Sequence, residues 1–379
     1  MRIAQVSHLF PPATGGIEHH TYEISRELAA LGDEVTVFTT AVEGAPKEES
    51  VQGFRVRRFF SINFPMFSSV RLPPALLFAL LAGDFDVYCS HGYGSLMPFL
   101  TSIAALVRRK PFVFTLHGYP RLRGVSGLFQ SFYRIFLASV FLRVAKKVIV
   151  VSRASVEDIK REVDGRKIVY IPNGIVAEDF SCDSYRDKDA IAYVGRLDKY
   201  KGVDMLIRAY ASLGKRHPGL KLRIVGRDEG IRKELEALAD GLGVKIEFMD
   251  VPYSGIKKVY CSCKAIVLPS RYEGFSLVWL EAISSGRPMF STPVGDARYL
   301  FGQVYGEDAE KFIFKDEKEL VERVSYFLGN QEKMEGVIRK AEYICKEEYS
   351  WKNIAAITSN VYKEVLGQGQ KTRKDLPAR

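Results

Sequence analysis

Short apolar runs rich in β-branched residues alternate with helical stretches along this chain, and the alternation starts over half-way. Ile3–Val6, Val35–Thr39, Val87–Cys89, Phe112–Thr115 and Val148–Val151 read as strands, with a helix over Ile17–Leu31 ended by Gly32. That order predicts a parallel sheet, because strands running the same way need crossovers that cover its faces. Ala190–Val194 begins the pattern again, followed by a helix over Val203–Lys215 and strands at Lys221–Val225, Lys245–Met249, Ala265–Leu268 and Met289–Thr292. A chain of 379 residues has room for two such sheets, each with its own core. The expectation is α/β, with two domains joined near residues 176–188, where Glu178–Asp189 is polar and patternless.

Three segments depart from the alternation. Phe64–Pro74 reads as a loop, and Leu128–Val144 as a buried packing helix, interrupted by Ser131, Arg134 and Arg143. A last helix opens at Tyr349–Trp351 and runs to Leu366, and Gln368–Arg379 reads as a flexible tail. No apolar run reaches the roughly 18 residues of a spanning helix. Met1–Ser7 enters a strand rather than a signal peptide. Five scattered cysteines (Cys89, Cys182, Cys261, Cys263, Cys345) fit a reducing compartment, and Cys261-Ser-Cys263 lacks the second pair a zinc site needs. These features predict a cytoplasmic protein.

The stretch Pro269–Ala282 carries the most chemistry. A buried strand leads into it, Gly274 permits a tight turn, and Ser276 is placed to cap the next helix. A strand, a turn and a helix N-terminus gather unpaired N–H groups into an anion site. Glu273 at its mouth and Glu281 farther along the helix can accept hydrogen bonds from sugar hydroxyls. Gly195–Gly202 supplies cations from a strand's C-terminal end, where open α/β sheets bind ligands. There Arg196 can fork two phosphate oxygens and Lys201 adds a mobile point charge. Gly15-Gly16 lets the backbone approach a phosphate at the first helix's N-terminus, although the dinucleotide spacing is absent. His117 follows one strand and His91 another. Glu18, His19 and His20 have the wrong spacing for a zinc pair on a helix. Asp84-Phe-Asp86 precedes a strand, at the end remote from ligands, and is rejected as a metal site.

With these motifs in place, the chain resembles the retaining GT-B glycosyltransferases of family 4, and is similar to their phosphatidylinositol-type sugar transferases. The likeness covers nearly the whole chain and is most specific in Gly195–Gly202 and Pro269–Pro293. It implies two Rossmann-like domains facing across a donor cleft. Residues 1–178 would form the acceptor domain, completed by a terminal helix at 351–367; residues 179–350 would form the nucleotide-sugar domain, and 368–379 a tail. The donor site would comprise Gly15, Gly16, Arg196, Lys201, Glu273, Gly274, Phe275, Ser276 and Glu281. Within it Glu281 would hold the ribose, Glu273 the transferred sugar, and Arg196 and Lys201 the diphosphate. His117 would sit beside the sugar, and the catalytic set would be His117, Glu273, Arg196 and Lys201. No metal and no cofactor are implied beyond the nucleotide-diphosphate sugar. Departures at Lys264, Val176 and Asp296 leave the preferred sugar and base open.

Between Val51 and Arg153 stand fourteen Lys or Arg against two acids, a net +12, while the rest of the chain sums to −2. Aromatics and aliphatics accompany them, including Phe59, Phe60, Phe64, Phe67, Leu76 and Phe78. Such a surface suits an anionic membrane, with Arg57, Arg58 and His91 on the acceptor side. Nucleic acid is the weaker partner, since no zinc-finger, helix-turn-helix or RRM signature is present. The expected function is hexose transfer to a hydroxyl of a membrane lipid or lipid-linked glycan. The rivals are a soluble sugar acceptor, a sugar-nucleotide epimerase of the same fold and a non-catalytic partner subunit.

Overall fold

Central strands buried on both faces build two sheets of nearly uniform parallel pairing. The computed structural model describes residues 1–13, 15–64, 67–118, 133–185 and 188–368, with side chains left aside at 63–64, 67–71 and 134–135. The chain divides into two compact units, Met1–Asn173 with the terminal helix Trp351–Val365, and Gly174–Ser350.

The first sheet comprises β1 (Arg2–Val6), β2 (Glu34–Thr40), β3 (Glu48–Val51), β4 (Phe54–Phe59), β7 (Val87–His91), β8 (Phe112–Leu116), β9 (Lys147–Val150) and β10 (Ile168–Tyr170). Its order is β10-β9-β8-β7-β1-β2-β4-β3, parallel throughout except for β3 against β4. A separate antiparallel pair, β5 (Ile62–Phe64) with β6 (Phe67–Leu72), corrects the expected loop at Phe64–Pro74. With two serines breaking the apolar run, that segment gives little strand signal. The helix expected over Leu128–Val144 is a π-helical turn at Arg134–Ala138 followed by Ser139–Val144. Residues 128–132 lie outside the described residues, as does the tail after Gln368.

The terminal helix packs against the helix Gly16–Ala30. Its Trp351 and Tyr362 are almost wholly buried. Truncating such an aromatic to alanine costs about 3–5 kcal/mol, so this late segment is integral to the first unit.

The second sheet is β11 (Ala190–Val194), β12 (Lys221–Val225), β13 (Glu247–Met249), β14 (Ala265–Leu268) and β15 (Met289–Ser291), parallel in the order β13-β12-β11-β14-β15. Phe180 and Tyr185, from the polar stretch expected to join the domains, are buried in its core. A disulfide joins Cys182 to Cys261 across 79 residues, so two of the five cysteines that look scattered in the sequence are paired. Sequence spacing could not show it, because the fold alone brings the two strand-flanking segments together. Among the described residues no helix is long and apolar enough to cross a membrane.

Each sheet has a point where the strand order reverses. β1 lies between β2 and β7, and β11 lies between β12 and β14. Loops at the C-terminal ends of such neighbours diverge and open a crevice, the usual place for a ligand in an open α/β sheet.

Candidate active site

In the second unit the loops after β11 and β14 leave this reversal point. Gly226 lets the chain after β12 cross closely, since a Cβ there would lie 1.8 Å from the Gly195 oxygen. Tyr193 donates its hydroxyl to the Arg196 carbonyl at 2.6 Å and fixes the first loop's exit. Arg196 itself is 62% exposed and only 3.5 Å from Asp198, leaving its guanidinium accessible to an anion. The loop then turns through Gly202, at φ +64°, where a Cβ would lie 2.1 Å from the Pro269 oxygen. That contact locks the two loops together and brings Lys201 to Glu273. Lys201 Nζ donates to Glu273 Oε1 at 2.6 Å, and Ser270 Oγ donates to the same oxygen at 2.8 Å. Arg271 adds a further stitch, donating to the Lys199 carbonyl and to Asp204.

The helix Leu277–Ser284 follows. Ser276 stands at its N-cap, but its hydroxyl makes no capping bond, correcting the expected cap. Phe275 is buried against Trp279 and Tyr349, so its side chain serves the core. Gly274 accepts a backbone bond from Asp296, tying the turn to the loop after β15. Glu281 is buried, with Tyr260 donating to Oε2 at 2.6 Å and Tyr253 to Oε1 at 3.3 Å. Burial pushes the Glu281 carboxyl up, against the pull of the two tyrosine hydroxyls. Arg287, itself buried, donates to the Tyr260 carbonyl and so fixes the helix that carries that tyrosine.

In the first unit His91 ends β7 and His117 follows β8, next to β1 at the other reversal point. His91 Nδ1 and His117 Nε2 are 3.2 Å apart, and His91 Nε2 meets Gln5 Oε1 at 2.7 Å. His20 joins them from the first helix, its Nδ1 3.0 Å from Asn173 Oδ1 and its ring edge-on to Trp351. Burial keeps all three imidazoles neutral, lowering His20 to about 4 and the other two well below their ordinary value. One ring nitrogen from each lies within 4.8 Å of the others, close enough to hold one divalent ion. His20 thus finds its partners on other elements, while Glu18, His19 and His20 lack the spacing of a zinc pair on one helix.

Gly15 and Gly16 begin the helix Gly16–Ala30 as expected, but the Glu18 carboxylate folds back on this end. A Cβ on Gly15 would lie 2.2 Å from Glu18 Oε2, so any phosphate here must first displace that carboxylate.

Residues 14–179 match the family model for Glycosyltransferase Family 4, and residues 177–343 the model for Glycosyl transferases group 1. An uncharacterized glycosyltransferase of Methanocaldococcus jannaschii is 30% identical over 408 residues, spanning 97% of this chain and 100% of that protein. The chain belongs to glycosyltransferase family 4. The gpi3 subunit of phosphatidylinositol N-acetylglucosaminyltransferase from Schizosaccharomyces pombe is 27% identical over 96% of this chain and 80% of its own length. HepE of Anabaena, solved in complex with UDP, superposes with a TM-score of 0.76 at 20% identity, over 96% of this chain and 100% of its own. The fold is that of the GT-B glycosyltransferases, two Rossmann-like α/β domains.

For a family 4 glycosyltransferase the acceptor-side residues need correction. Arg58 is buried, donating to the Pro11 and Pro46 carbonyls and pairing with Glu49 at 2.6 Å, so it cannot meet an acceptor or a membrane. His91 is 1% exposed and is hydrogen-bonded to His117 and Gln5, with the His20 ring 5.4 Å away. Arg57 is half-exposed, paired with Glu48 and lying over the Phe38 and Phe59 rings. The +12 count also shrinks in space. Arg55, Arg57, Arg58 and Lys147 pair with Glu34, Glu48, Glu49 and Glu364, all from outside the counted window. The side chains of Arg71, Arg121, Arg123, Arg134, Phe64 and Phe67 lie outside the described residues. Asp84 and Asp86 pair with Arg2, Arg108 and Lys110. Sequence reading missed Gln5, Tyr253, Tyr260, Ser270 and Tyr362. Only Gln5 left a signal, a lone amide in an otherwise apolar central strand.

Proposed function

We propose that this family 4 enzyme is a retaining hexosyltransferase, moving a sugar from a nucleotide diphosphate to a hydroxyl acceptor. The observation that carries this reading is the Lys201–Glu273 pair, with exposed Arg196 on the same loop as Lys201 and Glu281 on the helix after Glu273. A cation pair, a hydroxyl-accepting carboxylate and a buried carboxylate held by tyrosines match, in order, a diphosphate, a sugar and a ribose. HepE, which binds UDP, shares the fold and supports a nucleotide donor. In the transfer, Arg196 and Lys201 offset the charge growing on the departing diphosphate. Glu273 orients the sugar and His117 contributes a further hydrogen bond to it. The acceptor attacks from the face the nucleotide leaves, and the departing phosphate oxygen takes the acceptor's proton. Because the two side chains supply the positive charge, transfer proceeds without a divalent ion and survives exhaustive chelation; a loss restored by magnesium or manganese refutes this.

The acceptor we propose is membrane-borne, on the cytoplasmic face. Support comes from Phe60 and Phe78, 75% and 72% exposed, the former near half-exposed Ile62 and Arg57 in sequence. The lipid named in the gpi3 relative's description points the same way. The test is turnover of a panel of nucleotide sugars by purified protein, with soluble sugars and with lipid acceptors in vesicles. Glu281→Ala and Arg196→Ala should each cost about tenfold to a hundredfold in transfer. Hydrolysis or transfer unchanged in both variants removes the donor-site assignment, and full activity on a soluble sugar with none on lipids removes the membrane acceptor.

A further inference from the structure

Four polar side chains of the first unit run in single file, Tyr362, Gln5 and His91 buried and His117 half-buried, and the direction of each hydrogen bond follows from the one before. Gln5, fully buried in β1, donates from Nε2 to the Tyr362 hydroxyl at 3.2 Å. The Tyr362 hydroxyl, having accepted from Gln5, keeps its own proton to turn toward the neighbouring Cys89 side chain. Gln5 Oε1 is then an acceptor, so His91 must carry its proton on Nε2 to make the 2.7 Å bond. A neutral imidazole has one N–H, which leaves His91 Nδ1 as an acceptor. The 3.2 Å approach of His117 Nε2 to that atom is a hydrogen bond only when His117 is protonated on Nε2. His117 Nδ1 is left as the acceptor of its ring.

Burial holds both rings neutral, and His20, edge-on to His117 at 4.5 Å, further disfavours a charge. His20 is itself neutral, with Nδ1 directed at Asn173 Oδ1. In a low-dielectric interior the network reverses as a whole or not at all, because turning one member alone sets donor against donor, and the orientation of the Gln5 amide sets the polarity.

We propose that Gln5, Tyr362 and His91 form a tautomer lock on His117. The lock makes His117 an obligate hydrogen-bond acceptor at Nδ1, selecting a substrate hydroxyl over a phosphate or carboxylate oxygen. This rests on the reading above that His117 meets the transferred sugar. His117 is the residue that touches substrate, and the other three are positioning residues. Tyr362 gives the terminal helix a second task beyond packing, since the lock is closed by a side chain almost at the end of the described chain. The three histidines could instead close on one metal ion. Both His91 Nδ1 and His117 Nε2 would then direct lone pairs at the ion, and no hydrogen bond would join them.

The test is the histidine tautomer, read from long-range proton–nitrogen correlation spectra of nitrogen-15-labelled full-length protein, with signals assigned through His117→Gln and His91→Gln. The expected result is an Nε2–H tautomer for both His91 and His117 in the metal-free wild type. Gln5→Glu places a carboxylate on His91 and favours a second proton on that ring, at Nδ1. His117 then becomes the acceptor at Nε2 and switches to Nδ1–H. Turnover should fall about tenfold or more, with nucleotide affinity unchanged, because the altered group acts on the sugar step alone. Tyr362→Phe removes one oxygen and serves if Gln5→Glu does not fold. The amide loses its anchor and His117 becomes a mixture of tautomers. An Nδ1–H His117 in the wild type overturns the proposal, as does an unchanged tautomer in a folded Gln5→Glu protein. Stoichiometric zinc on the purified protein, lost in His91→Gln, overturns it as well. The spectra need no substrate. The expected tautomers in a protein that turns over no nucleotide sugar support the lock and reject the transferase reading, whereas the wrong tautomer in an active enzyme rejects the lock alone.

Discussion

Lys201 and Glu273 form a 2.6 Å ion pair across 72 residues of sequence, with their side chains only 17% and 10% exposed. The two groups assigned to adjoining parts of a sugar nucleotide, its diphosphate and its sugar, are thus held against each other by the Gly202–Pro269 contact. Pairing spares each the cost of an isolated buried charge and sets both in place, so donor binding exchanges partners instead of ordering free side chains.

Glu273→Gln should keep the fold, because the amide oxygen still accepts from Ser270 and Lys201. It should lower transfer about tenfold to a hundredfold while leaving nucleoside diphosphate affinity equal or higher, since Lys201 is released to the phosphates. Lys201→Met leaves Glu273 with Ser270 alone and should destabilise the protein by about 3 kcal/mol. Calorimetric titration with nucleoside diphosphate and denaturant unfolding of both variants check this. Equal loss of diphosphate binding in both contradicts the assigned roles.

Glu281 predicts a pH dependence with a definite sign. Its carboxyl is raised by burial, so the folded state binds the proton more tightly than the unfolded chain does. The stability this lends is present at low pH and is lost as pH rises from the ordinary carboxylate range through the raised value. Glu281→Gln removes that loss, so the variant should gain stability relative to wild type as pH increases across the window. Nucleotide binding runs the other way, because the ionised carboxylate is the better acceptor for ribose hydroxyls. Wild-type affinity should weaken on acidification while that of Glu281→Gln stays flat, as measured by nucleotide titration from acid to neutral pH.

The disulfide gives a stability prediction. Closing a loop of 79 residues between Cys182 and Cys261 removes unfolded-state entropy equivalent to about 4–5 kcal/mol. Cys182→Ser with Cys261→Ser, or reduction of the wild type, should lower the unfolding midpoint by several degrees or more. Cys261 adjoins Tyr260, whose hydroxyl holds Glu281, so nucleotide affinity should fall in the same variant. An unfolding scan and a nucleotide titration with and without reductant check both effects.

The parts of the site that were legible in the sequence are those where one loop carries several chemical groups. Gly195–Gly202 and Pro269–Ala282 each follow a strand directly, so residue type and strand position sufficed to predict that Arg196, Lys201, Glu273 and Glu281 follow the C-terminal ends of their strands, while their roles came from the family resemblance. The histidine cluster was not legible, because His20, His91 and His117 converge only through the neighbour order β8-β7-β1 and the helix Gly16–Ala30. Judging His20 by its spacing from His19 looked for partners along one helix when they lie on two strands. The charge count failed for a related reason. β3 runs antiparallel to β4 and sets Glu48 opposite Arg57, so acids just outside the counted window neutralise cations inside it.

That neutralisation changes what membrane attachment should depend on. Arg58 is buried against Pro11, Pro46 and Glu49, so Arg58→Gln should lower the unfolding midpoint and leave vesicle binding per folded molecule unchanged. Phe60 and Phe78 are exposed, the latter on a short helix whose Leu76 and Leu80 face the core. Moving such a ring from water into the acyl boundary contributes roughly 1.5–3 kcal/mol, about tenfold or more in partitioning for each. Phe60→Ser with Phe78→Ser should therefore reduce sedimentation with vesicles at least as strongly as Arg57→Glu does. The loss should persist at high salt, where an electrostatic contribution fades. Sedimentation with neutral and anionic vesicles at low and high salt separates the two contributions. Binding that vanishes in salt and ignores both phenylalanines returns the attachment to charge alone.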